Sequence, residues 1–192
     1  MGGPVFSKTS SAGFQETGNR RVEWRRKEMA KTAVKPAKAA KGALDVGDKA
    51  PDFTLKSDEE KTVSLSQLKG KKVVLYFYPK DDTPGCTKEA CSFRDGFSVI
   101  QKKGAIVLGV STDSVESHKK FKEKFNLNFP LLSDADKKVV NAYGVWKEKA
   151  LYGRKYMGIE RTTFVIDENG KIKRVFPKVK VDGHYDEVLA EL

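Results

Sequence analysis

Residues 72–91 read KVVLYFYPKDDTPGCTKEAC, and the change of character halfway along that stretch decides the fold. Lys72 to Tyr78 is a continuous apolar run placed just after Gly70, as a central strand buried on both faces requires. Within five residues comes Thr83-Pro84, an N-cap residue followed by a proline suited to the first helical position. The spacing predicts one helix from about Pro84 to Lys103, because Cys86, Ala90, Phe93, Phe97 and Ile100 share a narrow stripe. A buried strand running through a polar loop into an inward-facing helix is half of an α/β unit.

Working outward, the same alternation of strand and helix continues. Asp52–Leu55 and Thr62–Leu65 alternate as short half-buried strands do. Ala105–Ser111 (AIVLGVS) is a second buried strand, and Ser114–Phe125 is an amphipathic helix. Leu131-Leu132 leads to a helix near residues 137–143. Residues 162–167 and 171–176 flank Glu168-Asn169-Gly170, a strong hairpin signal. Residues 182–192 should form a last helix. There is no internal repeat. This order predicts an α/β fold, a central mixed sheet flanked by helices on both faces.

The chain has 192 residues, 39% apolar and 33% charged, enough for one domain with a sizeable core and short for two. Ordinary Gly and Pro content excludes a collagenous chain, and the apolar content argues against disorder throughout. No run approaches the roughly 18 apolar residues of a spanning helix, so a soluble protein with no membrane association is expected. Two cysteines exclude a disulfide-framework secreted domain.

The formal net charge of +11 is unevenly placed. Residues 1–43 hold ten Lys/Arg and three Glu, whereas residues 44–192 hold twenty-seven and twenty-three of each sign. The surplus belongs mainly to a leader rich in Ser, Gly, Ala and Lys, which reads as a disordered segment ahead of a domain at 44–192. The leader lacks a secretory h-region, and Glu16, Glu23 and Glu28 count against a transit peptide. Arg20-Arg21 and Arg25-Arg26-Lys27 suggest a nuclear or nucleic-acid tail as the sharper alternative. The body mixes its signs, so nucleic acid is not the expected partner. A start at Met29 is a further expectation, which would lower the net charge to +8 by removing six basic and three acidic residues.

Chemistry concentrates at the two thiols. Cys86 falls in the first turn of its helix, where free N–H groups and the positive end of the helix dipole favour a negative charge. Cysteines so placed commonly have a lowered pKa. Its inward direction fits an inert core cysteine equally well. Cys91 stands five residues on, so in ideal helix geometry the two Cα atoms are roughly 8–9 Å apart. A disulfide needs less than about 7 Å, so the intact helix forbids one. The spacing also misses the two-residue redox motif. A zinc site is disfavoured, since His118 and His184 are isolated in sequence and read as surface residues.

The pattern Pro79-xxx-Thr83-xx-Cys86 resembles the signature of the peroxiredoxins, and Thr83 to Asp95 is similar to their bacterioferritin-comigratory (peroxiredoxin Q) subfamily. Gly47–Phe53 and Gly158–Phe164 agree, so the likeness runs from about Leu44 to Leu192 and leaves the leader unmatched. The resemblance implies a thioredoxin-like fold and thiol-dependent reduction of hydrogen peroxide and organic hydroperoxides. It makes Cys86 the peroxidatic cysteine and Cys91 the resolving one, so that a Cys86 sulfenic acid becomes an intramolecular disulfide. It assigns Thr83 to orienting peroxide and thiolate, Arg161 to holding the thiolate, and Pro79, Pro84 and Gly85 to the substrate pocket. No cofactor or metal is implied. The expected partners are peroxide and thioredoxin or a similar dithiol reductant, acting on a monomer in the cytoplasm, with the nucleus or plastid as alternatives if the leader targets. The competing reading is a thioredoxin-fold protein exchanging disulfides with protein clients.

Overall fold

In the computed structural model the described residues are Gly2 and 44–192 apart from Tyr152. The leader, its basic pairs and the Met29 start lie outside the described residues.

Strand β3 (Lys72–Phe77) explains its own sequence. Val73, Leu75 and Phe77 point into one apolar core, and Val74, Tyr76 and Tyr78 into another. Two buried faces leave no position for a polar residue, hence the unbroken apolar run. Each such side chain removed from water contributes about 1.5–3 kcal/mol. Around it the sheet has the order β2-β1-β5-β4-β3-β8-β9, with β1 Thr54–Ser57, β2 Thr62–Ser64, β4 Ala105–Ser111, β5 Leu131–Ser133, β8 Thr162–Ile166 and β9 Ile172–Phe176. β3 pairs parallel with β4 and antiparallel with β8, so the sheet is mixed. Helices α1 (Pro84–Asp95), α2 (Phe97–Lys102), α3 (Val115–Phe125) and α5 (His184–Ala190) pack on the Tyr76 face, and α4 (Lys138–Ala142) on the other. This is the expected architecture, and among the described residues no helix is long and apolar enough to cross a membrane.

Three features differ from expectation. The single helix from Pro84 to Lys103 is broken at Gly96 into α1 and α2. The ring of Tyr185 fills the space a Cβ would take, 2.0 Å away, and its hydroxyl donates to the Gly96 carbonyl at 3.2 Å. Glycine at the break both weakens the helix and admits the ring. Second, β6 (Trp146–Leu151) and β7 (Arg154–Ile159) form a separate two-stranded sheet that is absent from the expected order of elements. Much of this hairpin is exposed, so no alternation of apolar and polar residues marks it. Third, His118 and His184 are buried rather than on the surface, at 0% and 1% exposure. Both join apolar contacts, His118 with Tyr78 and His184 with Phe93 and Phe176.

Candidate active site

The polar stretch between β3 and α1 is held by a buried network. Asp81 is 7% exposed. Its Oδ1 accepts from the Tyr78 hydroxyl at 2.7 Å, and its Oδ2 accepts from Ser117 Oγ at 2.7 Å and lies 2.8 Å from His118 Nδ1. The Asp81 N–H donates to Asp113 Oδ2 at 2.8 Å. Asp82 then takes a left-handed backbone (φ 51°), an uncommon conformation for a residue other than glycine. Lys124 pairs with its carboxylate at 2.7 Å. These contacts fix the turn that delivers Thr83 to the helix start. The sequence alone gives Asp81 no role and places His118 on the surface. The signal was in α3, where His118, Phe121 and Phe125 follow an inward i, i+3, i+7 spacing.

Thr83 is the N-cap residue with extended backbone, and Pro84 is at the first helical position, as expected. The Thr83 hydroxyl does not cap, however; it donates to the Lys80 carbonyl at 3.1 Å. Pro79 and Pro84 are exposed beside this turn, and Gly85 is half-buried. A Cβ on Gly85 would lie 3.3 Å from Arg161 Nη2, so the glycine lets the guanidinium approach the helix.

That approach brings together residues 75 positions apart. Arg161 Nη2 donates to Cys86 Sγ at 3.2 Å, and Cys86 is 2% exposed. The other arm, Nη1, donates to Glu89 Oε2. Glu89 is 2% exposed, and its Oε1 has no hydrogen-bond partner. Burial outweighs the guanidinium's attraction and pushes the Glu89 carboxyl up to about 7. From the sequence, Glu89 reads as part of a solvated run Thr87-Lys88-Glu89; its burial depends on a partner 72 residues away. Nearby, burial keeps Lys149 below the usual lysine range, and its ammonium donates to the Ile159 carbonyl at 2.5 Å.

Cys91 is half-buried on the same helix, and both cysteines are free thiols. His184 Nε2 lies 2.8 Å from Thr163 Oγ1, and burial lowers the imidazole's pKa. Among the described residues, no group of three or more His, Cys, Asp or Glu could hold a metal ion. The arrangement therefore presents a buried sulfur facing a guanidinium at a helix N-terminus. Such an arrangement suits a sulfur nucleophile acting on a small electrophile.

The AhpC/TSA family model matches residues 46–175. A Coxiella burnetii protein carrying the name peroxiredoxin bcp is 61% identical over 150 residues, covering 78% of this chain and 99% of that protein. Peroxiredoxin Bcp of Bacillus subtilis is 53% identical over 149 residues, covering 78% and 95%. Among solved structures, the bacterioferritin comigratory protein of Xanthomonas campestris, described for its alkyl peroxide reduction activity, superposes with a TM-score of 0.71. It is 42% identical and the match covers 77% of this chain and 94% of that one.

Proposed function

The chain belongs to the AhpC/TSA family, as a thioredoxin-fold peroxiredoxin and a thiol-dependent peroxidase of the Bcp/PrxQ kind, and from this premise we propose how its residues divide the work. Cys86 is the nucleophile. Its thiolate attacks the terminal O–O bond of a hydroperoxide, becomes a sulfenic acid and releases RO⁻, which leaves as the alcohol after gaining a proton. The Cys91 thiol then condenses with the sulfenic acid, expelling water and forming a disulfide. A dithiol, thioredoxin or a similar protein, reduces that disulfide by exchange.

Arg161 holds the anionic sulfur and meets the charge that builds on the peroxide oxygens. Thr83, with its hydroxyl proton committed to Lys80, has lone pairs left to accept from the peroxide O–H. Pro79, Pro84 and Gly85 form the wall through which the substrate enters. The observation that carries this reading is the 3.2 Å contact of Arg161 Nη2 with a sulfur only 2% exposed. The same burial disfavours disulfide exchange with protein clients as the main activity, since a client's sulfur would have to reach a sealed thiol, whereas a peroxide is small. The reading includes a catalytic domain at 44–192 acting as a monomer in the cytoplasm, with residues 1–43 as a basic leader. The bacterial relatives lend no support to a nuclear or plastid site.

The test is an asymmetry between the two cysteines. Cys86→Ser abolishes even a single turnover. Cys91→Ser performs one fast oxidation and stops at the sulfenic acid, detected by a dimedone-type trap. Equal loss from both changes would refute the assignment.

A further inference from the structure

Glu89 is a buried ionisable group at the site for which the cycle above has no use. Cys86 and Glu89 are three residues apart and share one face of α1. Both are held by the same planar fork, the sulfur on Nη2 and Oε2 on Nη1. The remaining carboxyl oxygen, Oε1, is buried and unpartnered. A carboxylate would leave that anionic oxygen without a donor, which is costly; a carboxylic acid carries its proton there instead.

Two anions on one cation in a dry site are one too many. We propose that Glu89 is a carboxylic acid while Cys86 is a thiolate, and that it gives up this proton to the leaving oxygen when the sulfur is oxidised. The step balances: Cys86-S⁻, ROOH and Glu89-COOH become Cys86-SOH, ROH and Glu89-COO⁻. The sulfur loses two electrons to the O–O bond, and the proton moves from Oε1 to the alkoxide. Arg161 faces one anion before the reaction and one after it, so the buried charge stays constant. The inference rests on the reading of Cys86 as the nucleophile.

Charged and titratable groups from every neighbouring element agree with this. On α1 itself the facing titratable group is Cys86, whose sulfur shares the guanidinium. From the residue before β8, Arg161 attracts a carboxylate, yet burial still leaves the Glu89 carboxyl at about 7. On β3, Tyr76 presents a buried hydroxyl with no partner, kept neutral by burial. From α5, His184 is neutral because burial lowers its pKa. The ammonium of Lys149, on β6, is committed to the Ile159 carbonyl.

The experiment has two arms. In the first, protein carrying carboxyl-labelled glutamate and Cys91→Ser is reacted once with alkyl hydroperoxide near neutral pH and followed by infrared difference spectroscopy. A label-sensitive protonated-carboxyl band should disappear as a carboxylate band grows, and neither change should occur with Glu89→Gln. A reaction that proceeds without loss of such a band overturns the proposal, and that refuting result needs no folded Glu89 variant. In the second arm, single turnovers of alkyl hydroperoxides are compared with those of a peroxyacid, whose carboxylate leaving group needs no proton. Glu89→Gln should lower the alkyl-to-peroxyacid rate ratio by on the order of 100-fold. An unchanged ratio overturns the proposal. Cys86→Ser in the same assays separates the two readings: if it still turns over, the nucleophile is misassigned, whatever Glu89 does.

Discussion

Replacing Glu89 by Gln should make the protein more stable at alkaline pH, although it removes an ion pair from the core. The carboxyl is pushed from 4.5 up to about 7 by burial, with Arg161 only partly offsetting it. At about 1.36 kcal/mol per tenfold change in proton affinity, that gap corresponds to about 3 kcal/mol. The folded state binds this proton more tightly than the unfolded chain. The stabilisation is therefore fully present below about pH 4.5 and is lost as pH rises through about 7. Gln cannot titrate, keeps an oxygen for Arg161 Nη1 and so lacks this loss. Urea unfolding of the reduced proteins between about pH 4.5 and 8 measures it. The wild-type-minus-variant difference should move by about 3 kcal/mol in favour of Gln as pH rises, at constant m. A pH-independent difference, or wild type gaining relative stability at alkaline pH, would refute the claim that burial dominates at Glu89.

Arg161→Met should move the formation of the Cys86 thiolate, read by ultraviolet absorbance, to higher pH and slow peroxide attack, because a cation beside sulfur favours its charged form. An unchanged pH–rate profile would remove Arg161 from the site. Gly96→Ala should destabilise by about 1–3 kcal/mol despite alanine's helix propensity, because the new methyl group displaces the Tyr185 ring; a higher midpoint in thermal unfolding would contradict this. On oxidation to the disulfide, amides from about 85 to 92 should lose hydrogen-exchange protection while those beyond Phe97 keep it. Unchanged protection across 85–92 in a bonded protein would show that Cys91 is not the partner.

The parts legible in the sequence are those in which neighbours along the chain decide the outcome. The β3 run, Thr83 and Pro84 at the helix start, and the inward phase of Cys86 all follow from local spacing. Arg161 was identifiable only through a family motif, since a single cation ahead of a strand has no distinguishing local pattern. Glu89, Asp81 and His118 were misread or passed over for a common reason. A polar residue in a short window looks solvated, and its burial is decided by partners that the fold brings from α3 or from the start of β8. Gly96 shows the same effect on the backbone. The apolar stripe does continue past it to Ile100, but a ring from α5 lies against the glycine and divides the helix. The β6–β7 hairpin escaped notice because its exposure gives it no apolar face to signal.

The helix that builds the site also prevents the proposed cycle from closing. Bonding Cys86 to Cys91 requires the Cα atoms to come within about 7 Å, and an intact helix holds them roughly 8–9 Å apart. The first turns of α1 must therefore unwind, and Glu89 lies between the two cysteines. Unwinding them breaks its contact with Arg161 and carries the carboxyl from burial into water, where it ionises at lower pH. Once the proton has gone to the leaving oxygen, the buried carboxylate stays charged and desolvated above neutral pH but is reprotonated from solvent at pH 5, so releasing it costs less at the higher pH. The same residue that destabilises the folded enzyme at alkaline pH thus eases the movement needed for the disulfide. Disulfide formation in wild type should accelerate between about pH 6 and 8 more than thiolate reactivity alone explains, and Glu89→Gln should lose that excess. Phe93 is 1% exposed and Tyr185 closes the helix at Gly96. These contacts limit the unwinding to the turns that carry the two thiols.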